Sequence, residues 1–173
     1  MTTMTKNRLL RLLEHRWFDE RDTRRALGPE VVRRLQQRVA ASERAHAGEI
    51  RVCVEAGLPL SYLWRGASAR ERALTLFGKL RVWDTAHNSG VLIYLLLAEH
   101  AIEIVADRGL NAHVSPAQWA AIVASMRDAF RAGRHEQGLN AAIDAVDALL
   151  RQHFPLAPGE ANPNELPDEP ALG

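Results

Sequence analysis

Apolar residues in this chain follow two different periods. Between residues 90 and 107 they come in short unbroken runs: "GVLIYLLLA", then Glu99 and His100, then "AIEIVAD". Neither run has a 3.6-residue repeat. The first follows the turn signal Asn88–Ser89–Gly90, and the second is rich in β-branched residues. Two such runs across a tight polar break predict a β-hairpin. The first run is apolar on both faces, which predicts a central strand covered by helices on both sides. It counts eight residues, Val91 to Ala98, well short of the ~20 that a membrane helix needs. A third strand is predicted over residues 49–56, "EIRVCVEA", where Ile50, Val52 and Val54 alternate with Arg51, Cys53 and Glu55.

Elsewhere the period is helical. Val31, Val32, Leu35 and Val39 form one stripe with arginines opposite, and Pro29 suits a first turn. Ala69, Ala73, Leu76, Phe77 and Leu80 mark a second helix. A third opens on the capping-box residues Ser115, Pro116 and Gln118 and ends near Gly133; a fourth carries Leu139, Ile143, Val146 and Leu150 and stops at Pro155. The early segment "KNRLLRLLEHRWF" predicts a further helix. The order strand, helix, hairpin, helix, helix predicts an α/β fold. It is a three-layer α/β/α sandwich on a small mixed sheet, with residues 49–56 parallel to the first hairpin strand through a right-handed crossover.

Composition narrows the function classes. The net charge is +1, so no overall field favours nucleic acid. Ten Lys/Arg stand against five Asp/Glu in residues 1–38, a basic face read as solvated, because no aromatic interleaving accompanies it. Cys53 is the lone cysteine, which excludes an internal disulfide and a Cys-rich metal site and suits a reducing, cytoplasmic setting. No secretory signal or membrane segment is expected. The segment 155–173 is proline-rich and acidic, and is expected to be disordered. Three parts result: an N-terminal helical arm over 1–27, a domain over 28–154 and the tail over 155–173. The arm carries Leu9, Leu10, Leu12 and Leu13, and is expected to bind a protein partner or a second copy.

The predicted topology gathers candidate chemistry at one end of the sheet. The hairpin pairing sets Leu92 roughly opposite Asp107, so the loops "WDTAHNSG" and "DRGLNAHV" meet there, and His46 and Glu49 enter at the same end. Asp84, Asp107, Asn88 and Glu49 are the candidate metal ligands. All offer oxygen, so Ca²⁺ or Mg²⁺ is preferred over zinc, with weak affinity. Asp84 also suits a plain turn, and Arg108 can neutralise Asp107 in a loop ion pair. The seven histidines are scattered without HxxxH or HExxH spacing and read as surface or capping residues. Cys53 reads as an inert buried thiol, and Trp64, Trp83 and Trp119 as core or rim anchors. There is no P-loop, GxSxG or dinucleotide fingerprint, so no organic cofactor is expected.

The succession "ERALTLFGKLRVWDT…GVLIYLLLAEHAIEIVADRGL…FRAGRHEQGL" resembles the TPM domain family, over about Ala47 to Phe154. The resemblance implies the same α/β/α sandwich. It matches Asp84 to an acidic position and Gly90 to the glycine that opens the central strand. Where many relatives read Gly–Tyr–Gly, this chain reads Asp107–Arg108–Gly109. The chain resembles the stand-alone soluble bacterial branch. Reported divalent-cation binding in some members and acid phosphatase activity in plant members imply two classes of function. One is a binding or accessory module, cation-dependent, serving envelope or membrane-protein partners. The other is a weak metal-assisted phosphoester hydrolase. Two carboxylates suffice for weak cation binding and are thin for a two-metal enzyme, which favours the module.

Overall fold

The computed structural model describes residues 11–13, 15 and 20–173. Its helices are α1 (Glu20–Ala26), α2 (Pro29–Glu43), α3 (Leu60–Trp64), α4 (Ala69–Lys79), α5 (Arg108–Asn111), α6 (Pro116–Arg131) and α7 (His135–His153). The strands are β1 (Glu49–Glu55), β2 (Gly90–Leu96), β3 (Ala101–Ala106) and β4 (Ala171–Leu172), in the order β3-β2-β1-β4. β1 runs parallel to β2 and β3 antiparallel to it, as the pattern predicts. The fold is therefore α/β, helices on both faces of a small mixed sheet.

Strand alternation divides the interior in two. Ile50, Val52 and Val54, with Val91, Ile93 and Leu95, face α2, α6 and α7. Cys53, Leu92, Tyr94 and Leu96 face the opposite way, toward Leu63, Ala73, Leu76 and Leu166. Every residue of β2 is buried, which is why that strand carries no polar position. The predicted capping box at Ser115 and Gln118 is present, and an equivalent one forms at Ser68 and Glu71 of α4. No helix among the described residues is long and apolar enough to cross a membrane.

The hairpin pairs two residues out of the predicted register. Leu92 lies opposite Val105, and Asp107 donates its N–H to Gly90 (2.9 Å). The connection is longer than Glu99–His100 alone. Residues Leu97–Glu99 form a 3-10 turn, and His100 takes the left-handed conformation. The tail expected to be disordered instead contacts the domain at several points. β4 pairs with β1 at Cys53 and Val54, and Leu166 and Pro170 are buried. A proline-rich chain needs few ladder bonds to hold an extended course, and the outer edge of β1 supplies them.

Of the expected N-terminal arm, Leu9 and Leu10 lie outside the described residues. Arg11 donates to Glu99 (2.8 Å) and to the Ala67 carbonyl (2.7 Å). Leu12 packs on the second core, and buried His15 contacts Glu99 and accepts from the Leu58 N–H (2.9 Å). This part of the arm is therefore docked on its own domain. Leu13 stays exposed. Trp64 is 74% exposed rather than an anchor, and Trp83 stands half-exposed beside the Arg81 guanidinium.

Candidate functional site

The predicted end of the sheet is where the chain's loops converge. Two glycines set their approach. A Cβ on Gly90 would sit 1.9 Å from the Val82 carbonyl oxygen, and one on Gly109 would sit 2.5 Å from that of Asn88. Gly109 donates to that same Asn88 oxygen (3.0 Å), which clamps the turn after β3 to the loop before β2. Asn88 takes a left-handed φ of 51° there.

The four predicted ligands share this region without forming a ligand shell. Asp84 is exposed and held by Arg81 (2.6 Å). Asn88 Oδ1 accepts from Arg108 Nε (3.0 Å). Asp107 caps α5 by accepting the Arg108 N–H (2.7 Å), and its Oδ2 is buried with no hydrogen-bond partner. Glu49 is fully buried; its Oε2 accepts the Leu166 N–H (3.1 Å) and its Oε1 has no partner. Among the described residues no three His, Cys, Asp or Glu side chains are grouped to hold a metal ion. Asp84, Asp107 and Glu49 as they stand do not fit one.

Residues outside that set build the more enclosed chemistry. Glu43, in the last turn of α2, accepts the Ile50 N–H through Oε1 (2.8 Å), and its Oε2 is buried with no partner. Burial pushes the Glu43 carboxyl up to about 9 against the pull of that N–H, and Glu49 and Asp168 add to the rise. Burial raises Glu49 as well. The C-terminal segment laces across the same end. Asn162 donates to the carbonyls of His46 (2.9 Å) and Gly48 (3.0 Å), and Glu165 accepts the Ala86 N–H (3.0 Å). One sequence signal was available for Glu43: it continues the buried stripe Leu35–Val39 by a further four residues. The tail residues gave none, because their composition reads as solvent-exposed chain.

Ser42, His46 and Asp147 also meet, but in an order that produces no nucleophile. Ser42 Oγ donates to Asp147 (2.6 Å) and lies 2.9 Å from His46 Nε2, while Gly48 N donates to His46 Nδ1 (3.2 Å). A serine activated for attack gives its proton to histidine, with the carboxylate on the far ring nitrogen. Here the carboxylate takes the serine proton directly. His46 is wholly buried, and burial pulls its pKa down. The trio ties α2 to α7.

A second candidate surface lies at the open edge of the sheet. Among the described residues β3 pairs only with β2. The bond from Asp107 to Gly90 fixes the alternation, so the backbone groups of Ile102, Ile104 and Ala106 point outward. Arg70 donates to the Ile104 carbonyl (2.6 Å), and Asn111, held by the Trp119 indole, donates to that of Ala106 (2.6 Å). A cleft of about 470 Å³ follows this edge, walled by Trp119, Ala120 and Val123 of α6 and by Arg70. A smaller cleft of about 230 Å³ extends it past Arg127 to Arg131 and His100.

The model of the TPM domain matches residues 21–149. No curated protein matches the chain. The fold is similar to that of the BA42 protein from the psychrophilic bacterium Bizionia argentinensis, with a TM-score of 0.73 and 26% identity over 85% of this chain and 95% of that one. It is also similar to the N-terminal domain of a protein from P. gingivalis, with a TM-score of 0.60 and 21% identity over 76% of this chain and 82% of that one, a likeness of fold alone. With most of its length matched by the family model and its sheet and helices in the expected order, the chain belongs to the TPM domain family.

Proposed function

We propose that this chain is a TPM-type binding module that receives an extended, acidic segment of a protein partner along the open edge of β3. The observation that carries the reading is the pair of adjoining clefts, sharing Glu103, Val123 and Arg127, beside an edge strand whose outward backbone groups face them. An extended segment added to a sheet edge gains main-chain hydrogen bonds, and pockets for alternate side chains give selectivity. The cleft offers both. Its floor is apolar at Ile104, Val114, Trp119 and Val123; its rim carries Arg127 and Arg131 from α6, both exposed, while its two carboxylates, Glu99 and Glu103, are paired with Arg11 and Arg70. Arg70 and Asn111 side chains now sit on the β3 carbonyls, and an incoming strand would displace them. The resemblance to the family points to envelope or membrane proteins as partners.

Metal-assisted phosphoester hydrolysis is the competing reading. It needs a cation to offset phosphate charge and a carboxylate to orient water. Asp84 and Asn88 are already engaged by Arg81 and Arg108, so the module is preferred.

Short peptides that alternate apolar and acidic residues test the proposal by calorimetric titration. Wild-type protein is expected to bind them. Ala120→Trp, which fills the cleft, should abolish binding, and Arg127→Glu should weaken it about tenfold with a reduced salt dependence, as expected for a rim charge. Equal binding by both variants would remove the cleft as the site.

A further inference from the structure

Most arginines among the described residues hold a carboxylate, as Arg34 holds Glu136, Arg72 holds Glu55 and Arg81 holds Asp84. Arg127 and Arg131 hold none among those residues. They stand one turn apart on α6, both exposed, and both line the smaller cleft of about 230 Å³ beside β3. The carboxylates of that cleft are engaged elsewhere. Glu99 is taken by Arg11 (2.6 Å) and by His15 (2.9 Å), and Glu103 faces Arg70 (3.5 Å). His100, in the left-handed position just before β3, adds its imidazole to the same cleft. An anion is what this wall lacks.

The place of the two arginines along the strand gives the anion a direction. Their cleft lies at the start of β3, lined by His100, Ala101 and Ile102, and the larger apolar cleft follows Ile104 and Ala106 further along. Of the three residues with outward backbone groups, Ile104 and Ala106 have their carbonyls capped by Arg70 and Asn111. Ile102, beside the arginines, has no such cap among the described residues. A strand added antiparallel to β3 passes Ala106, then Ile104, then Ile102, and brings its C-terminal end to the arginines. A strand added parallel brings its N-terminal end there. We propose that the segment received along β3 is the C-terminal end of the partner chain, bound antiparallel, with its terminal carboxylate held by Arg127 and Arg131. The inference rests on the β3 edge being a strand acceptor, as proposed above.

The ladder itself sets the position of that carboxylate. In an antiparallel pair, residues that exchange both backbone bonds lie directly opposite each other. The last residue of the partner, opposite Ile102, donates its N–H to the Ile102 carbonyl and accepts the Ile102 N–H with one carboxylate oxygen. Its other oxygen has no ladder partner and is left for the guanidiniums, whose forked N–H groups match a carboxylate. A carboxylate fixed by main-chain bonds reaches them without the loss of rotamer freedom that a glutamate side chain incurs. The residue two before the terminus lies opposite Ile104 and shares its face, which meets Trp119 and Val123 of α6. That position takes an apolar side chain. The penultimate residue turns to the other face, toward Arg70 of α4, and takes an acidic one. The partner is thus a protein whose chain ends in a short strand of alternating apolar and acidic residues.

Calorimetric titration of the full chain with two N-acetylated peptides of one alternating apolar–acidic sequence tests this. One peptide ends in a free carboxylate and the other in an amide. The acid is expected to bind about tenfold tighter or more, the scale of hydrogen bonds to a charged group. In the double variant Arg127→Gln, Arg131→Gln the two affinities should converge. A spin label at the N-terminal residue of the acid peptide should broaden the amide signals of Ala106 and Asn111 and spare that of His100. Equal binding of acid and amide to the wild type would overturn the inference while leaving β3 as a strand acceptor. Broadening centred on His100 would do the same, by showing a parallel strand. A gap between acid and amide that survives in the double variant would place the carboxylate elsewhere and overturn it too. Binding of neither peptide would remove the strand-acceptor reading and this inference with it.

Discussion

Gly90 and Gly78 show how differently one residue type can be constrained. Gly90 opens β2 with the Val82 carbonyl where a Cβ would be, whereas nothing lies within 4 Å of a Cβ on Gly78 in α4. Gly90→Ala forces backbone apart and should destabilise the fold at or above the upper end of the ~1–3 kcal/mol typical of overpacking. Gly78→Ala should stabilise it by ~0.5–1 kcal/mol through helix propensity. Urea unfolding of the two variants checks both signs. Glu43 gives a pH-dependent counterpart. Its folded pKa lies above the ordinary 4.5, so its stability contribution is fully present below that value and is lost as pH rises toward about 9. Glu43→Gln lacks that loss. Its stability relative to wild type should therefore improve across that window, by something on the order of a few kcal/mol. A pH-independent difference would mean that Glu43 folds already ionised. The sequence exposed Gly90 through its place before an apolar run. It put Glu43 on the buried stripe of α2 but could not show its environment, because the groups around it arrive from β1 and the distant tail.

Among the elements, those with strong local patterning were legible. The parallel β1–β2 pair, the antiparallel β3 and the four long helices follow from period, capping boxes and the crossover rule. Short elements held by tertiary contacts were not. α3 and α5 have too few residues to show a period, and β4 has two residues whose ladder partner is far away in the chain. The tail misled most, because proline and acid content describe solubility and say nothing of a vacant strand edge. Deleting residues 156–173 therefore has a predicted cost. Burying one leucine such as Leu166 contributes ~1.5–3 kcal/mol. Stripping the Leu166 N–H from buried Glu49 costs a further ~1–3 kcal/mol. A loss of at least ~3 kcal/mol in chemical denaturation is expected, and an unchanged midpoint would show that the segment is not fastened. The candidate ligands illustrate the same limit. Topology located Asp84, Asn88, Asp107 and Glu49 at one end, but Arg81 and Arg108 decide what Asp84 and Asn88 do.

For the molecule as a whole, the two edges of one sheet differ. On the β1 side the chain's own C-terminal segment supplies the neighbouring strand and closes the edge. On the β3 side the outward carbonyls of Ile104 and Ala106 are capped by the side chains of Arg70 and Asn111, beside a cleft that α6 walls with Trp119 and Val123. An exposed strand edge invites pairing, and natural sheets shield such edges unless pairing is their use. Side-chain caps shield without blocking, since a partner strand can exchange with them. The most direct measurement is an isotope-edited NMR map of the complex between the full chain and an acidic strand-forming peptide. Backbone contacts from the peptide to the amides of Ile102, Ile104 and Ala106, with a shifted Trp119 indole, are the predicted result. Contacts confined to the loops around Asn88 and Arg108, with β3 unchanged, would contradict it.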